Sequence, residues 1–157
     1  MINLGVVPKS RKIPSLKKNG HWLFPEEMGI NKVGFVYVIR DTVLKRYYLG
    51  KKMYRKGGVT RNGEETNWKS YRSSSTTMAQ IMSKRPPEEF QFVVLEEYET
   101  KSGLSFAETW SLCMVEAPTT PIWYNTRIEK IAWNVREGIT FRHKERLEMV
   151  QDWSNED

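Results

Sequence analysis

The stretch "GFVYVIRDTVLKRYYLGKK", Gly34 to Lys52, decides how the rest of the chain is read. Gly34 to Arg40 is β-branched and aromatic, the profile of a strand. Arg46 to Gly50 reads as its hairpin partner, with "DTVLK" as the turn between them. Tyr37 and Tyr48 stand eleven residues apart across that turn. Side chains alternate along a strand, so a register offset or a bulge is what would bring both tyrosines to one face. On residue type alone they are either half-buried strand aromatics or hydroxyls placed for chemistry.

Working outward, the periodic pattern lapses from Lys51 to Ser70, where Gly57-Gly58 and Asn62-Gly63 are turn signals in a basic stretch. Thr76 to Lys84 reads as a short helix, with Ser or Thr available as its N-cap and Pro86-Pro87 as its stop. Phe90 to Tyr98 reads as a third strand with Phe90, Phe92 and Val94 on one face. Ser105 to Glu116 follows as a helix whose apolar face is built from Ala107, Trp110, Cys113 and Met114. "TFRHKERLEMVQDW" predicts a last amphipathic helix. The expected fold is a small α+β domain with a three-stranded antiparallel sheet flanked by helices. Residues 1–30, with Pro8, Pro14 and Pro25, are expected as an extended basic arm, 31–126 as the core, and 127–157 as a helical appendage packing on it.

Length and charge bound the function. The 157 residues make about one domain, and the chain has no apolar run near the roughly 18 residues of a membrane span. The start lacks a secretory h-region, and the single Cys113 cannot form an internal disulfide, so a reducing, cytoplasmic setting is expected. One Cys with His21 and His143, both expected at the surface, gives no zinc set. Residues 1–85 carry 18 Lys and Arg against 5 Asp and Glu, net +13, whereas residues 86–157 carry 7 against 14, net −7. A positive field of that kind suits a phosphate backbone.

"FVYVI" followed by "YLG" resembles the two name-giving motifs of the GIY-YIG nuclease superfamily, with Phe35 where a glycine is usual. Glu108 falls where that family carries its metal-binding glutamate, and Tyr124-Asn125 where it commonly ends its core. "NWKSYRSSS" is similar to the phage-encoded, homing-endonuclease-like branch that carries the nuclease domain alone, which would place the chain in the host cytoplasm. The resemblance implies a metal-dependent DNA endonuclease using Mg²⁺ (or Mn²⁺), with Tyr37, Tyr48, Glu108 and Asn125 at the site. The family's helix-borne arginine has no clear counterpart: Arg72, Lys52 and Arg55 compete for it, with Arg72 favoured because "YRSSS" leads into the first helix. Lys51, Arg55, Lys56, Arg61 and Lys69 in the basic loop are expected on the DNA backbone.

The chemistry needs a nucleophilic water, a proton acceptor, and positive charge on the phosphoryl oxygens and leaving 3′ oxygen. In this reading Tyr37 accepts the proton or holds the water, Tyr48 completes the network, Arg72 or Lys52 neutralises the phosphate, and Glu108 binds the metal. Competing readings stay open. Ser105 to Glu108 has the spacing of a capping box, with Glu116 then the fallback ligand. Trp68, Trp110 and Trp123 are expected as core or interface anchors, and Asn125 as a support or a turn cap. The scaffold could also serve as an inactive nucleic-acid-binding module or as a protein-interaction accessory factor. No second DNA-reading domain is visible, so specificity would come from the arm, the loop or a homodimer.

Overall fold

The computed structural model describes residues 19–129 and 135–156. The elements run β1 (Trp22–Leu23), β2 (Gly34–Asp41), β3 (Arg46–Met53), α1 (Thr76–Ser83), β4 (Phe90–Tyr98), α2 (Lys101–Met114) and α3 (Phe141–Glu156). They form one four-stranded sheet in the order β1-β4-β2-β3. The sheet has one strand more than the three antiparallel strands expected. β2 pairs antiparallel with both β3 and β4, and β1 adds a short parallel strand at the β4 edge.

The fourth strand comes from the segment expected as an arm, of which residues 1–18 lie outside the described residues. Its remainder is core: Trp22 and Phe24 are fully buried and Met28 nearly so. Trp22 stacks against Phe35, Tyr37 and Phe92, and its indole N–H donates to Trp68 O at 2.7 Å. Two residues of strand are too short for any periodicity to register, so aromatic burial, not backbone pattern, holds this segment in place.

The sheet divides two apolar layers. Phe35, Tyr37 and Ile39 of β2 join Phe90, Phe92 and Val94 of β4, as their alternation predicts, and are covered by Trp22, Phe24, Trp68 and Met78 of α1. The other face, with Val36, Val38, Leu49, Val93 and Leu95, packs against Leu104, Ala107 and Leu112 of α2 and Leu147, Val150 and Trp153 of α3. The bulge in β2–β4 pairing lies between Val36 and Tyr37. It leaves Leu95 and Glu96 to share one side and turns Glu97 to the other, where its Oε2 accepts from Tyr54 Oη at 2.5 Å and Gly29 N at 2.8 Å.

The β2–β3 turn is set by Asp41. Its buried Oδ1 accepts from Val43 N and Leu44 N, while Arg85 closes a two-pronged bridge on the carboxylate at 2.6 and 2.7 Å and Tyr124 Oη donates to Oδ2 at 2.9 Å. Burial alone would push the Asp41 carboxyl up, but Arg85 and these donors outweigh it and hold the pKa down at about 2.

α2 begins four residues earlier than its sequence suggests. Thr100 is the N-cap, its Oγ1 accepting from Gly103 N at 3.0 Å, so Ser105 lies inside the helix and the capping box does not form. The interior Gly103 is what hid this start: a Cβ there would strike Glu137, whose carboxylate accepts from Glu99 N and Thr100 N. α3 docks through buried polar groups as well as its apolar stripe. Arg146 Nε donates to Val94 O at 2.6 Å, and Arg142 forks onto Glu96.

His143, expected at the surface, is fully buried, and His21 is stacked between Trp22 and Phe92. Ser111 Oγ donates to Ala107 O at 2.6 Å, so it accepts from His143 Nε2–H at 2.6 Å, which leaves Nδ1 to accept from Tyr98 Oη at 2.9 Å. The network therefore specifies one neutral tautomer. Burial lowers the His143 pKa to about 4, with Glu96 opposing and Arg146 reinforcing the shift.

Two outcomes are expected. Removing one buried Phe or Trp side chain costs roughly 3–5 kcal/mol, and a domain holds only about 5–15 kcal/mol in total. A chain starting at residue 31, without Trp22 and Phe24, should therefore be unfolded by circular dichroism where the full chain is folded. Second, an unfolded histidine takes a proton below about pH 6.5 that folded His143 refuses until about 4. Stability conferred by His143 is thus complete above pH 6.5 and drains at up to ~1.4 kcal/mol per pH unit as pH falls toward 4. Urea midpoints measured from pH 7 to 5 should fall with a shallower slope in His143→Gln, and an unchanged slope would remove His143 from the account.

Candidate active site

The hairpin register puts the two tyrosines together without any β2–β3 bulge. Tyr37 pairs with Gly50 and Ile39 with Tyr48, so Tyr37, Tyr48 and Lys52 rise from the same face. Tyr37 is 1% exposed and its ring lies directly on Gly50: a Cβ at that position would sit 2.5 Å from the hydroxyl oxygen and 2.7 Å from Cζ. The glycine after the Tyr-Leu pair is therefore the space that the first tyrosine occupies.

The hydroxyls form a small cluster. Tyr37 lies edge-on to Tyr71 with ring centres 6.2 Å apart, and Ser73 neighbours both Tyr37 and Tyr48. Ser73 Oγ in turn accepts from Ser75 N at 2.9 Å, tying the cluster to the start of α1, which Ser75 caps by accepting from Met78 N. Burial, with Tyr71 and Tyr48 adding to it, pushes the Tyr37 pKa well above the ordinary phenol value. Burial also raises that of Tyr48, opposed by Ser73 and reinforced by Glu108. Both are neutral hydroxyls at pH 7.

Tyr48, but not Tyr37, lines a cavity of about 690 Å³ that wraps the β3 edge. Its walls include the start of α1 on one side and Glu108 of α2 on the other, with Arg46, Tyr124 and Arg127 between them. Glu108 has a side chain 14% exposed and lies 3.8 Å from Lys51 Nζ, beyond hydrogen-bond range. Burial lifts its pKa to about 7, Lys51 opposing and Glu129 adding to the rise. Lys51 Nζ makes its shorter contact, 2.8 Å, to Ser105 Oγ.

The remaining sequence candidates are dispersed. Asn125 bridges the edge strand, its Oδ1 accepting from Leu49 N at 2.9 Å and its Nδ2 donating to Leu49 O at 2.8 Å. Lys52 lies 4.0 Å over the Tyr71 ring and donates to Asn67 Oδ1 at 3.0 Å. Arg72 does not line the Tyr48–Glu108 cavity; it stacks over Phe92 and shares a separate cavity of about 270 Å³ with His21. In the loop, Arg55 donates to Gly63 O, Lys56 pairs with Glu64, Arg61 donates to Asn31, and Lys69 lies 5.6 Å from the Trp68 ring centre. Trp68 and Trp123 are buried and Trp110 is partly so. Sequence reasoning missed Arg46, Tyr71 and Ser73. Alternation along β3 was the available signal for Arg46, two residues from Tyr48 on the same face.

The hairpin with its two tyrosines and the helix-borne Glu108 fit the resemblance carried by the sequence, and the chain belongs to the GIY-YIG nuclease superfamily. Within it, residues 19–128 match the family described as "Putative endonuclease segE, GIY-YIG domain". That span starts just before β1 and ends before α3. Neither the curated proteins nor the solved structures yield a match.

If Tyr37 fills the space over Gly50, Gly50→Ala should cost on the order of 1–3 kcal/mol by urea denaturation. The nearest atom is the hydroxyl oxygen, so Tyr37→Phe should relieve part of that loss. A double-mutant cycle giving simply additive losses would overturn the steric account.

Proposed function

We propose that the chain is a metal-dependent DNA endonuclease with a tyrosine-centred, single-metal site at the β3 edge. The observation that carries the reading is the cavity that Tyr48 and Glu108 line together from different elements. Membership in an endonuclease family supplies the reaction class, hydrolysis of a phosphodiester.

The donor set fits a hard divalent cation. Glu108 offers a largely buried carboxylate whose nearest cation stands 3.8 Å away, and Glu129 lines the same cavity. No group of three or more His, Cys, Asp or Glu is gathered for a metal among the described residues. One carboxylate with water completing the shell is how Mg²⁺ is commonly held beside a phosphate. A bound Mg²⁺ (or Mn²⁺) would supply Lewis acidity toward the phosphoryl oxygens.

The chain's own residues divide the remaining work. Water's oxygen bonds to phosphorus as the bond to the 3′ oxygen breaks, and the proton the water gives up passes through solvent to the departing 3′ oxygen. Tyr48 Oη, neutral and open to the cavity, holds the water through a hydrogen bond. Tyr37, buried and neutral, is a buttress: through Tyr71 and Ser73 it fixes where Tyr48 stands. Burial works against ionising Tyr37, so it is not the group that accepts the proton from water. Asn125 holds the edge strand that carries Tyr48. Lys51 restrains the charge of Glu108, and the loop cations Arg55, Lys56, Arg61 and Lys69 lie outside the cavity, available to flanking backbone phosphates.

Supercoiled plasmid incubated with Mg²⁺ should be nicked or linearised by the parent and protected by EDTA. Tyr48→Phe and Glu108→Gln should each lose roughly 10²-fold or more, the scale for removing one stabilising group from such a site. Equal cutting by all three proteins would identify a contaminant and end the reading. Salt-dependent DNA binding without any cutting would point instead to a binding module on the same scaffold.

A further inference from the structure

We infer that Arg46 is the guanidinium that grips the scissile phosphate, an inference that rests on the nuclease reading above and adds to it the cation that the sequence left open. Arg46 lies on β3 two residues before Tyr48, so alternation sends both side chains to one face, and both line the cavity that Glu108 completes.

The side chain is held ready. Its guanidinium carbon sits 4.1 Å from the centre of the Tyr124 ring, and its Nε donates to Pro121 O at 3.1 Å. Tyr124 is itself fastened to Asp41 through its hydroxyl. These contacts use one donor of the five, and the two terminal amino groups have no hydrogen-bond partner among the described residues. Two parallel N–H groups match two oxygens of a phosphodiester, and a side chain already stacked and bonded loses little freedom on binding it.

The other cations are committed or elsewhere. Lys51 is engaged by Ser105 and Glu108, and Lys52 by Asn67 and Tyr71. Arg72 faces the separate cavity with His21. Arg127 lines the same cavity as Arg46 but is exposed, and nothing among the described residues fixes its side chain. A cavity that also holds Glu108 and Glu129 would repel a phosphate without a cation in its wall, and Arg46 is the one held there.

The test uses the full chain on plasmid and on a short duplex, with binding measured in a Glu108→Gln background over roughly 50 to 200 mM salt. Arg46→Met keeps the aliphatic stem and removes the charge; it should lower kcat roughly 10²-fold and flatten the log–log salt slope by about one unit. Arg46→Lys keeps the charge but not the fork, so it should retain the slope and lose kcat. It carries the test if Arg46→Met melts early. Lys144→Met, an exposed lysine on α3, is the charge-matched control. Parent-like cutting and binding by folded Arg46→Met, or a loss that appears in Arg72→Met instead, would overturn the inference. Should the parent not cut at all, the nuclease reading fails separately. A flattened slope at Arg46 would then still place a phosphate there, and an unchanged slope would exclude it.

Discussion

One buried carboxylate, Asp41, sets the terms for the rest of the molecule. It accepts from two backbone N–H groups of its own turn, from both prongs of Arg85 beyond α1, and from the hydroxyl of Tyr124. Three separate pieces of chain thereby meet at one charge. The turn closes with Asp41 opposite Arg46, and from that pairing follows every other pair along β2 and β3, including Tyr37 over Gly50. A hairpin closed one residue differently would send one tyrosine to the opposite face. Asp41 does not line the cavity, yet the register it sets decides which side chains do. Without Arg85, the buried Asp41 carboxylate would lose the cation that compensates its charge.

The two sides of the sheet solve the burial of polar groups differently. Toward α1, the hydroxyls of Tyr37, Tyr48, Tyr71 and Ser73 gather beside an aromatic layer. Toward α3, charged and titratable groups are used: Arg146 on a backbone carbonyl, Arg142 on Glu96, and neutral His143 between Ser111 and Tyr98. The cavity reaches the hydroxyl side through Tyr48 and the other side through Glu108 of α2. Neutral donors and acceptors can rearrange around a passing anion without a change of charge, whereas the ionic side fixes a helix in one position.

Much of this was legible in the residues, and the exceptions have physical causes. β4 could be read to the residue and α1 to within one, because apolar alternation, a serine cap and a double proline are all local signals. β1 could not, since two residues carry no period and its place depends on Trp22 finding Phe35 and Phe92. The start of α2 was obscured by Gly103, tolerated in a helix because Glu137 from 34 residues away packs against it. Arg72 was favoured on sequence because it precedes the first helix. What removes it from the cavity is its stacking on Phe92, and what brings Arg46 in is a stack on Tyr124, 78 residues distant. Contacts of that range leave no mark on local pattern.

Asn125 closes the outer edge of the sheet with a side chain. Its amide occupies both the N–H and the C=O of Leu49, and Ile122 and Tyr124 take the corresponding groups of Tyr47 through the backbone. An open strand of this length would be a template on which a second chain could extend the sheet. At Tyr47 and Leu49 the template is already filled from within. Along this part of β3, strand addition by a second copy, or by amyloid-like stacking, meets groups already paired. The same closure leaves the flank of β3 free to face a nucleic acid without also recruiting its neighbours.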